Sequence, residues 1–423
     1  MPINSEINID ESEYSYITLK IKQGYNRVYK RTYTKNPTQI YINDIVQTPI
    51  KTIYQFDYSI NNVTLVWKNY VLSCQGLFED CDKIIEINLT HFNTSKVSNM
   101  LHMFRNCKEL KYLDISNIDT SKVSNMGAMF EGCESLISLD ITNFDTTSCT
   151  NIGTMFKDCI SLKSINISNF NTSKIYYLDN LFNGCSNLTS IDLSNFDTSQ
   201  VTQMENMFRD CISLKYINIS NFDTKNVNKI ENMFYGCTSL TSLEFPNFNL
   251  MNIQNKDNME NIFDKCINLE YVNIKNYIPK SNSQTYKFFE NSPKNIVICL
   301  ENHNMINNIR SDQCNLFDCT YNWDKLRKKI SSKGECIDNC SLTENKYEYN
   351  FKCYPNCLNG TYNNNYKCEN CHEDCEICDG PFTINNTNCI SCSDKNKFLY
   401  FGNCIQECPG NDYYYNDSIN QNI

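Results

Sequence analysis

Apolar residues recur along this chain with a period of 26 residues, and cysteine marks the period most clearly. Seven cysteines stand at that spacing, and an eighth follows 29 residues after the seventh: Cys81, Cys107, Cys133, Cys159, Cys185, Cys211, Cys237 and Cys266. A period of this length is typical of stacked repeats that bury one continuous core. The sequence therefore predicts a solenoid rather than separate globular domains.

Each repeat predicts a short helix that ends at its cysteine. Met126, Met129, Phe130 and Cys133 stand at positions i, i+3, i+4 and i+7, which lie on one side of a helix. After the cysteine, polar and apolar residues alternate over residues 138–142, and this alternation predicts a short strand. A polar turn rich in Asn, Asp and Thr then leads to the next repeat.

Several copies of the repeat carry a family resemblance. Residues 110–123, 188–201 and 214–227 read LKYLDISNIDTSKV, LTSIDLSNFDTSQV and LKYINISNFDTKNV. With the MF-x-x-C that precedes the LxxLxL spacing, they resemble the BspA-like variant of leucine-rich repeats. The resemblance implies an α/β solenoid, a right-handed coil with one short helix and one short strand per repeat. It also implies a surface protein that adheres to host or matrix proteins.

One position departs from ordinary leucine-rich repeats. Where those repeats usually carry an inward asparagine, this chain has phenylalanine: Phe144, Phe170, Phe196 and Phe222. We therefore expect an aromatic spine to hold the loop that follows each strand.

Changes in pattern along the chain predict four regions. Runs rich in β-branched and aromatic residues over 17–21, 39–44 and 63–67 indicate short strands ahead of the array. The predicted order is an N-terminal β cap with a disordered start over 1–70, BspA-like leucine-rich repeats over 71–280, a C-terminal cap and linker over 281–334, and a cysteine-rich module over 335–423. The caps are expected because the exposed ends of a repeat array leave apolar surface and strand edges uncovered.

Composition excludes several classes of function. The net charge of −10 argues against nucleic-acid binding, which requires clustered Lys and Arg. The sequence contains no H-E-x-x-H motif, nucleophile–base pair or phosphate-binding loop, so we expect no enzyme activity, no cofactor and no metal.

The sequence shows neither a signal peptide nor an apolar run near the ~20 residues of a membrane helix. We expect a fragment or mature form that associates with a membrane only through a segment absent from this chain.

The eight repeat cysteines are interpreted as small buried core residues, not as a thiol ladder for metal or redox chemistry. Equivalent positions in stacked coils have parallel Cα–Cβ bonds, which is poor geometry for disulfides. Cys149 lies in a turn and is expected to be a free exposed thiol, whereas Cys74 is expected to be buried.

Outward-facing positions of the strands form the candidate binding face. These residues stand five or seven positions after the repeat cysteines: Tyr112, Asp114, Asp140, Asn166, Asp192, Tyr216, Asn218, Glu244 and Tyr271. One interpretation is a surface that binds a protein or a glycan, in which a cation could bridge Asp114 and Asp140. The other is a solvated polar ladder that supports the strands.

Beyond residue 335 cysteine density replaces an apolar core, which predicts disulfides. The cysteines concerned are Cys336, Cys340, Cys353, Cys357, Cys368, Cys371, Cys375, Cys378, Cys389, Cys392, Cys404 and Cys408. The run C-x2-C-x3-C-x2-C over 368–378 resembles furin-like or growth-factor-receptor modules. A rival interpretation takes Cys368, Cys371, Cys389 and Cys392 as a four-cysteine zinc site.

Three functions are compatible with these patterns. The leading one is a noncatalytic recognition or adhesion protein at the cell surface or outside the cell, with a protein or glycan ligand. The second is an intracellular interaction scaffold whose cysteine-rich end binds zinc. The third is a soluble receptor fragment.

Overall fold

The computed structural model describes residues 14–30, 36–277, 288–289 and 291–300, and beyond residue 300 only short strands and residues 356–358. The chain divides into two compact units, and each is described by itself. The first contains the repeats and the residues before them, and the second contains most of the chain after residue 320.

The first unit begins with an antiparallel sheet. Its strands are β1 Tyr14–Arg27, β2 Gln39–Ile42, β3 Ile45–Val46 and β4 Ile53–Lys68. Ile17, Leu19 and Ile21 on one face of β1 are buried, while the residues between them are more exposed, as the pleat of a half-buried strand requires. Strand β1 also pairs antiparallel with β5 Ile84–Asn88, the strand of the first coil. The sheet therefore covers the edge at which the coils begin.

The repeats stack as a β-solenoid of about eight coils, so the predicted solenoid is confirmed. After β5, its short strands are β6 Tyr112–Asp114, β7 Ser190–Asp192, β8 Tyr216–Asn218, β9 Ser242–Glu244 and β10 Tyr271–Asn273. They form three parallel pairs, β5 with β6, β7 with β8, and β9 with β10. After β10, the N–H of Ile274 donates to the carbonyl of Cys299 in β11 Val297–Cys299.

The predicted short helix in each repeat is wrong. The eight residues that end at each repeat cysteine, here called the turn segment, form consecutive tight turns, for example over residues 204–211. Every second N–H in this segment donates to the next coil, as when Met204 donates to the carbonyl of Lys229. The N–H groups between them close local turns. An α-helix would use all of these donors within the segment, so none would link the coils.

Left-handed backbone conformations explain why the turn segment cannot be a helix. Asn206 and Asp210 have φ values of 55° and 57°, and the same two positions have positive φ throughout the array. Gly, Asn and Asp hold most of these positions because they adopt the left-handed region at the lowest cost. Two such residues four positions apart interrupt right-handed helix in every coil.

The core is a set of columns that run through the coils. The longest joins the phenylalanines of the turn segments, whose ring centroids are 4.9–5.8 Å apart: Phe78, Phe104, Phe130, Phe156, Phe182, Phe208, Phe234, Phe263 and Phe289. The phenylalanines expected to form a spine are also buried, and Phe196 stacks on Phe222 at 6.4 Å. The more regular aromatic column, however, is the one in the turn segments.

Buried threonines form a second column at the loop that follows each strand. Each hydroxyl donates to the carbonyl of a residue in the next coil and accepts from the N–H of that same residue. Thr146 does so with Asn171, at 3.0 and 2.7 Å. The residues of this column are Thr94, Thr120, Thr146, Thr172, Thr198 and Thr224. Both backbone groups of the partner residue are thereby satisfied by a buried hydroxyl, so the threonines share the role that we assigned to aromatic packing alone.

The three additional residues between Cys237 and Cys266 coincide with a 3₁₀ turn at Lys256–Met259. The side chain of Asn255 caps this turn by accepting from the N–H of Asp257 at 3.1 Å. None of the helices in the described part of the chain is long and apolar enough to cross a bilayer.

The later strands are short. They are β12 Leu316–Phe317, β13 Lys329–Ile330, β14 Cys336–Ile337, β15 Tyr347–Tyr349, β16 Lys352–Tyr354, β17 Thr361–Asn364, β18 Lys367–Asn370, β19 Cys375–Cys378, β20 Cys389–Cys392, β21 Phe398–Tyr400, β22 Asn403–Ile405, β23 Tyr415–Asn416 and β24 Gln421–Asn422. Cys357 and Cys368 form a disulfide with a Cα–Cα distance of 5.5 Å. The side chains of the other ten cysteines of the predicted module lie outside the described residues, so the module stays a prediction.

Candidate functional site

The repeat cysteines form a buried column in which every thiol is free. From the second coil onward, each Sγ donates to the carbonyl of a phenylalanine in the preceding coil; Cys133, for example, donates to Phe104 at 3.2 Å. Burial raises the pKa of the Cys133 thiol to about 12. Because the thiolate is the reactive form, this column is a packing and hydrogen-bonding element rather than a chemical site.

Cys149 is also buried, which corrects the expectation of a free exposed thiol. It stands one repeat after Val123 and one before Ile175, so it occupies an apolar column of the core. Its Sγ contacts the carbonyl of Asn151 at 3.3 Å. Cys74 stands one repeat before Met100 and is fully buried in the corresponding column.

Most of the predicted binding face is open to solvent. Tyr112 and Tyr216 are 67% and 59% exposed. Exposed polar residues of the same face are Asp114, Asp140, Asn166, Asp192 and Glu244, and Asn218 is half-buried. Tyr271 is only 6% exposed, which corrects its assignment to the open face. It lies in the last strand pair, beside the wholly buried β11, so the open face ends before this coil.

Hydrogen bonds within each loop hold the carboxylates of this face. One oxygen of Asp140 accepts from both the N–H and the hydroxyl of Thr142, at 3.1 and 2.7 Å. The hydroxyl and N–H of Thr142 lower the pKa of Asp140, and the N–H and hydroxyl of Ser194 lower that of Asp192. Both groups are therefore ionised near neutral pH, with one oxygen already committed to the local turn.

The same turn recurs down the column, where Asn88, Asn166 and Asn218 accept in the same way from the residue two positions later. These hydrogen bonds lie within single loops, so the polar-ladder and binding-face interpretations both stay predictions. Within the residues that the structure describes, no group of three or more His, Cys, Asp or Glu side chains is placed to hold a metal ion. The bridging cation between Asp114 and Asp140 involves only two such side chains and stays a prediction.

A groove of about 510 Å³ lies on this face between the first and third coils. Tyr112, Asp114 and Asp140 line it together with Asn88 and Lys111. It therefore gathers three of the predicted face residues from two neighbouring coils. Asn166, Asp192, Tyr216, Asn218 and Glu244 lie along the face outside the groove.

The groove lies where the strand pairing stops. In the first pair, the N–H of Leu89 donates to the carbonyl of Asp114 at 2.9 Å. In the following coils, asparagine side chains donate to the carbonyls that follow the strand positions, as Asn143 does to Ile115 and Asn169 to Ile141. No strand forms between Asp114 and Ser190, although every residue there is described. The same asparagine column also donates where strands pair, as Asn221 does to Ser194, so these amides link the coils with or without strand pairing.

A charged column in the turn segments was missed from the sequence. Glu79, Arg105, Glu131 and Lys157 follow one another at the repeat spacing and alternate in sign. Arg105 contacts Glu79 at 3.1 Å and Glu131 at 3.0 Å, and Lys157 contacts Glu131 at 2.9 Å. The alternation at a spacing of 26 residues was the available signal. These side chains pair with each other, so the column supports the stack rather than a ligand.

Comparison with known proteins gives one family match. A family model described as "Mycoplasma protein of unknown function, DUF285" matches residues 72–166 and 159–277, which together span the repeat array. No curated protein matches the chain. Among solved structures, the chain is similar to a leucine-rich cell surface protein from Faecalibacterium prausnitzii A2-165, at 16% sequence identity and a TM-score of 0.20. The match covers 50% of this chain and 66% of that protein, just under two thirds of its length.

Proposed function

We propose that this chain is a noncatalytic recognition protein, at the cell surface or secreted, that binds a protein or glycan ligand on the exposed strand face. The observation that carries the proposal is the groove lined by Tyr112, Asp114 and Asp140. An exposed aromatic ring beside fixed hydrogen-bonding groups is the combination that recognition surfaces use as an anchor.

The scaffold beneath the groove favours binding without large rearrangement. Asp114 and Asp140 each accept from a hydroxyl in their own turn, at 2.8 and 2.7 Å, so their side chains are oriented before a ligand arrives. Interactions that need little ordering retain more of their free energy as affinity.

The chemistry of the candidate groups supports a noncatalytic role. Burial raises the pKa of the repeat thiols, which leaves them protonated, and hydrogen bonds lower the pKa of Asp140, which leaves it charged. A thiol nucleophile requires a lowered pKa, and a general acid requires a pKa closer to neutral pH.

The disulfide supports a location outside the reducing cytosol. Cys357 pairs with Cys368, and disulfides persist mainly in oxidising compartments. The same bond removes Cys368 from the predicted four-cysteine zinc site, which disfavours an intracellular zinc scaffold.

The test is a solid-phase binding assay of the purified chain against a panel of extracellular matrix proteins and a glycan array. We expect a ligand whose affinity falls about tenfold or more in Tyr112→Ala and in Asp140→Asn. Tyr25→Ala is the matched control, since this ring is 74% exposed on β1 and outside the groove. Tyr216→Ala shows whether the contact extends along the face.

The proposal fails if no member of the panel binds, or if both groove variants bind as well as the unmodified chain. Unfolding midpoints of all variants are measured in parallel, so that a loss of folding is not taken for a loss of contact.

A further inference from the structure

The fifth coil, which contains Cys185, carries an acceptor sequence for N-linked glycans that the repeat itself does not produce. Residues 187–189 read Asn-Leu-Thr and match the Asn-x-Ser/Thr pattern. Other copies of this pattern, such as Asn166 with Ser168, recur because most repeats carry Asn or Asp seven positions after the cysteine. Asn187 stands only two positions after its cysteine, so the repeat does not account for it.

The acceptor residues are open to solvent on a firmly held segment. Asn187 and Thr189 are exposed, while Leu188 between them is buried in the core. In the strand-face copies, Oδ1 of the asparagine accepts from its own loop, as Asn166 does from the hydroxyl of Ser168 at 2.8 Å. The hydroxyl of Thr189 instead donates to the carbonyl of the preceding coil. The side-chain amide of Asn187 makes no hydrogen bond to any described residue, so a group attached there displaces none.

Small side chains flank Asn187 in both neighbouring coils. The position two residues after the cysteine holds Ser161 in the fourth coil and Ser213 in the sixth. In the first two coils the same position holds Lys83 and Glu109, which form an ion pair of 2.7 Å between the coils. Two serines therefore stand beside Asn187 where the start of the array has a charged pair, and they leave room for a bulky group.

Two exposed apolar side chains also lie beside this asparagine. Ile160 and Ile212 are 41% and 47% exposed, and each directly follows the cysteine of a neighbouring coil. The N–H of Asn187 donates to the carbonyl of Ile160 at 3.3 Å, so these two residues are direct neighbours. A sugar ring has an apolar C–H face as well as hydroxyls. Packing that face against the isoleucines would remove apolar surface from water.

We propose that Asn187 carries an N-linked glycan. The inference rests on the proposed location outside the cytosol, because this modification belongs to secreted proteins. In the reaction, Nδ2 of Asn187 forms a bond to C1 of the first sugar of an oligosaccharide linked to a lipid pyrophosphate. The bond between C1 and the pyrophosphate oxygen breaks, the lipid pyrophosphate leaves with that electron pair, and the amide nitrogen loses one proton.

The glycan and the groove of the strand face occupy different coils. Thr189 directly precedes β7 Ser190–Asp192, so the glycan stands beside the strand face in the fifth coil. None of residues 187–189 lines the groove, which lies between the first and third coils. The modification and ligand binding in the groove can therefore be tested separately.

The test is site-resolved mass spectrometry of the full chain isolated from its native cells, with surface and secreted fractions separated from the cytosol. Peptide N-glycosidase is applied in heavy-oxygen water, which converts a glycosylated asparagine to an aspartate with one heavy oxygen. We expect this mass shift at Asn187 in the chains found outside the cytosol. Asn268 is the matched control, because it is exposed at the same position of the eighth coil but is followed by Glu270 in place of the threonine.

Two variants, produced with an added secretion signal in eukaryotic cells, test the acceptor sequence itself. Asn187→Gln and Thr189→Val should each lose the shift in the peptide that contains residue 187, whereas Asn268→Gln should retain it. A shift that persists in Thr189→Val would contradict the assignment. An unmodified Asn187 in chains outside the cytosol would overturn the glycan and leave the proposed recognition function standing. A chain confined to the cytosol would overturn both.

Discussion

The two sides of each coil are built differently. The turn segment links neighbouring coils by backbone hydrogen bonds along the whole array, for example from Phe104 to Met129 at 2.9 Å and from Phe208 to Met233 at 2.8 Å. The strand side pairs only in three separate sets, and between Asp114 and Ser190 it has no strand. The turn segments thus provide continuous backbone hydrogen bonding between the coils, whereas strand pairing on the strand side is interrupted.

Within a single repeat, this difference separates the residues that stabilise the stack from the exposed residues of the proposed binding face. The stacked rings, buried thiols and left-handed turns occupy the turn segment, where a change in one coil disturbs its neighbours. Substitutions on the strand side meet solvent, as the 67% exposure of Tyr112 shows. A binding surface can therefore vary there at little cost in folding.

The largest expected effect is the loss of one ring from the phenylalanine column. Phe156 is fully buried, with ring centroids 5.8 and 5.4 Å from those of Phe130 and Phe182. Phe156→Ala should lower the free energy of unfolding by about 3–5 kcal/mol, since it removes buried area and leaves a cavity. Urea denaturation measures this. Tyr112→Ala, on the other side, should change it by no more than about 0.5 kcal/mol. Equal losses of unfolding free energy in the two variants would contradict the idea that the turn segments stabilise the stack more than the strand side does.

A smaller effect is expected at the threonine column. Thr146→Val keeps the shape of the side chain but leaves the N–H and carbonyl of Asn171 without their partner. Backbone groups left without a partner at this half-buried position should cost about 1–3 kcal/mol in the same denaturation experiment. Thr142→Val is the comparison, because its hydroxyl bonds to the exposed Asp140. If Thr142→Val proves the more damaging, the strand side holds more of the stability than the structure indicates.

The left-handed positions should show an intermediate cost. Gly132 has a φ of 72°, and a Cβ there would approach Oδ1 of Asn106 at 2.6 Å. Gly132→Ala should therefore lower the free energy of unfolding by about 1–2 kcal/mol. Asp158→Gly at the equivalent position of the next coil should cost less, because glycine accepts the φ of 57° without strain. A neutral Gly132→Ala would show that the turn segment tolerates another backbone path.

The smallest effect has the opposite sign. Burial, together with the neighbouring Asp179 and Glu231, raises the pKa of Glu205, and its Oε2 lacks a hydrogen-bond donor within the described residues. A carboxyl group whose pKa is higher in the folded than in the unfolded chain destabilises the fold as the pH rises above the ordinary carboxyl pKa of 4.5. Glu205→Gln should raise the free energy of unfolding by up to about 1 kcal/mol near neutral pH, allowing for screening.

The pH dependence is the sharper readout for this variant. Its gain should vanish below the ordinary carboxyl pKa, where the glutamate is protonated in both the folded and the unfolded chain. Glu244→Gln, at an exposed position of β9, serves as the control and is measured over the same pH range. A gain that persists in acid would point to packing rather than charge.

The sequence was sufficient to predict the solenoid but not the path of the backbone within a coil. Spacing of i, i+3, i+4 and i+7 describes a helix, and it also describes successive tight turns that return the same side chains to the core. The distinguishing signal was the Asn, Asp or Gly at positions such as 206 and 210, because these residue types adopt a positive φ at the lowest cost. Periodicity of apolar residues contains no information about that angle.

The candidate face was predictable in outline, because alternation in a strand decides which side chains point outward. Tyr112 and Tyr216 follow that rule, whereas Tyr271 does not, since the end of an array has neighbours that no repeat contains. Cys149 was misassigned because its register was judged from the nearby polar turn rather than from Val123, one repeat earlier. The groove itself depends on where strand pairing stops, which no single repeat encodes.

The left-handed glycines also constrain how such a chain can lengthen or shorten. Gly184 lies against the carboxylate of Asp158, and Gly236 lies against that of Asp210, each in space that a Cβ would fill. Asp and Gly therefore alternate from coil to coil over this stretch. Removing one coil would bring two carboxylates or two glycines together, while removing two would keep every neighbour matched. Over this stretch, gain or loss of copies should proceed in units of 52 residues, twice the 26-residue period.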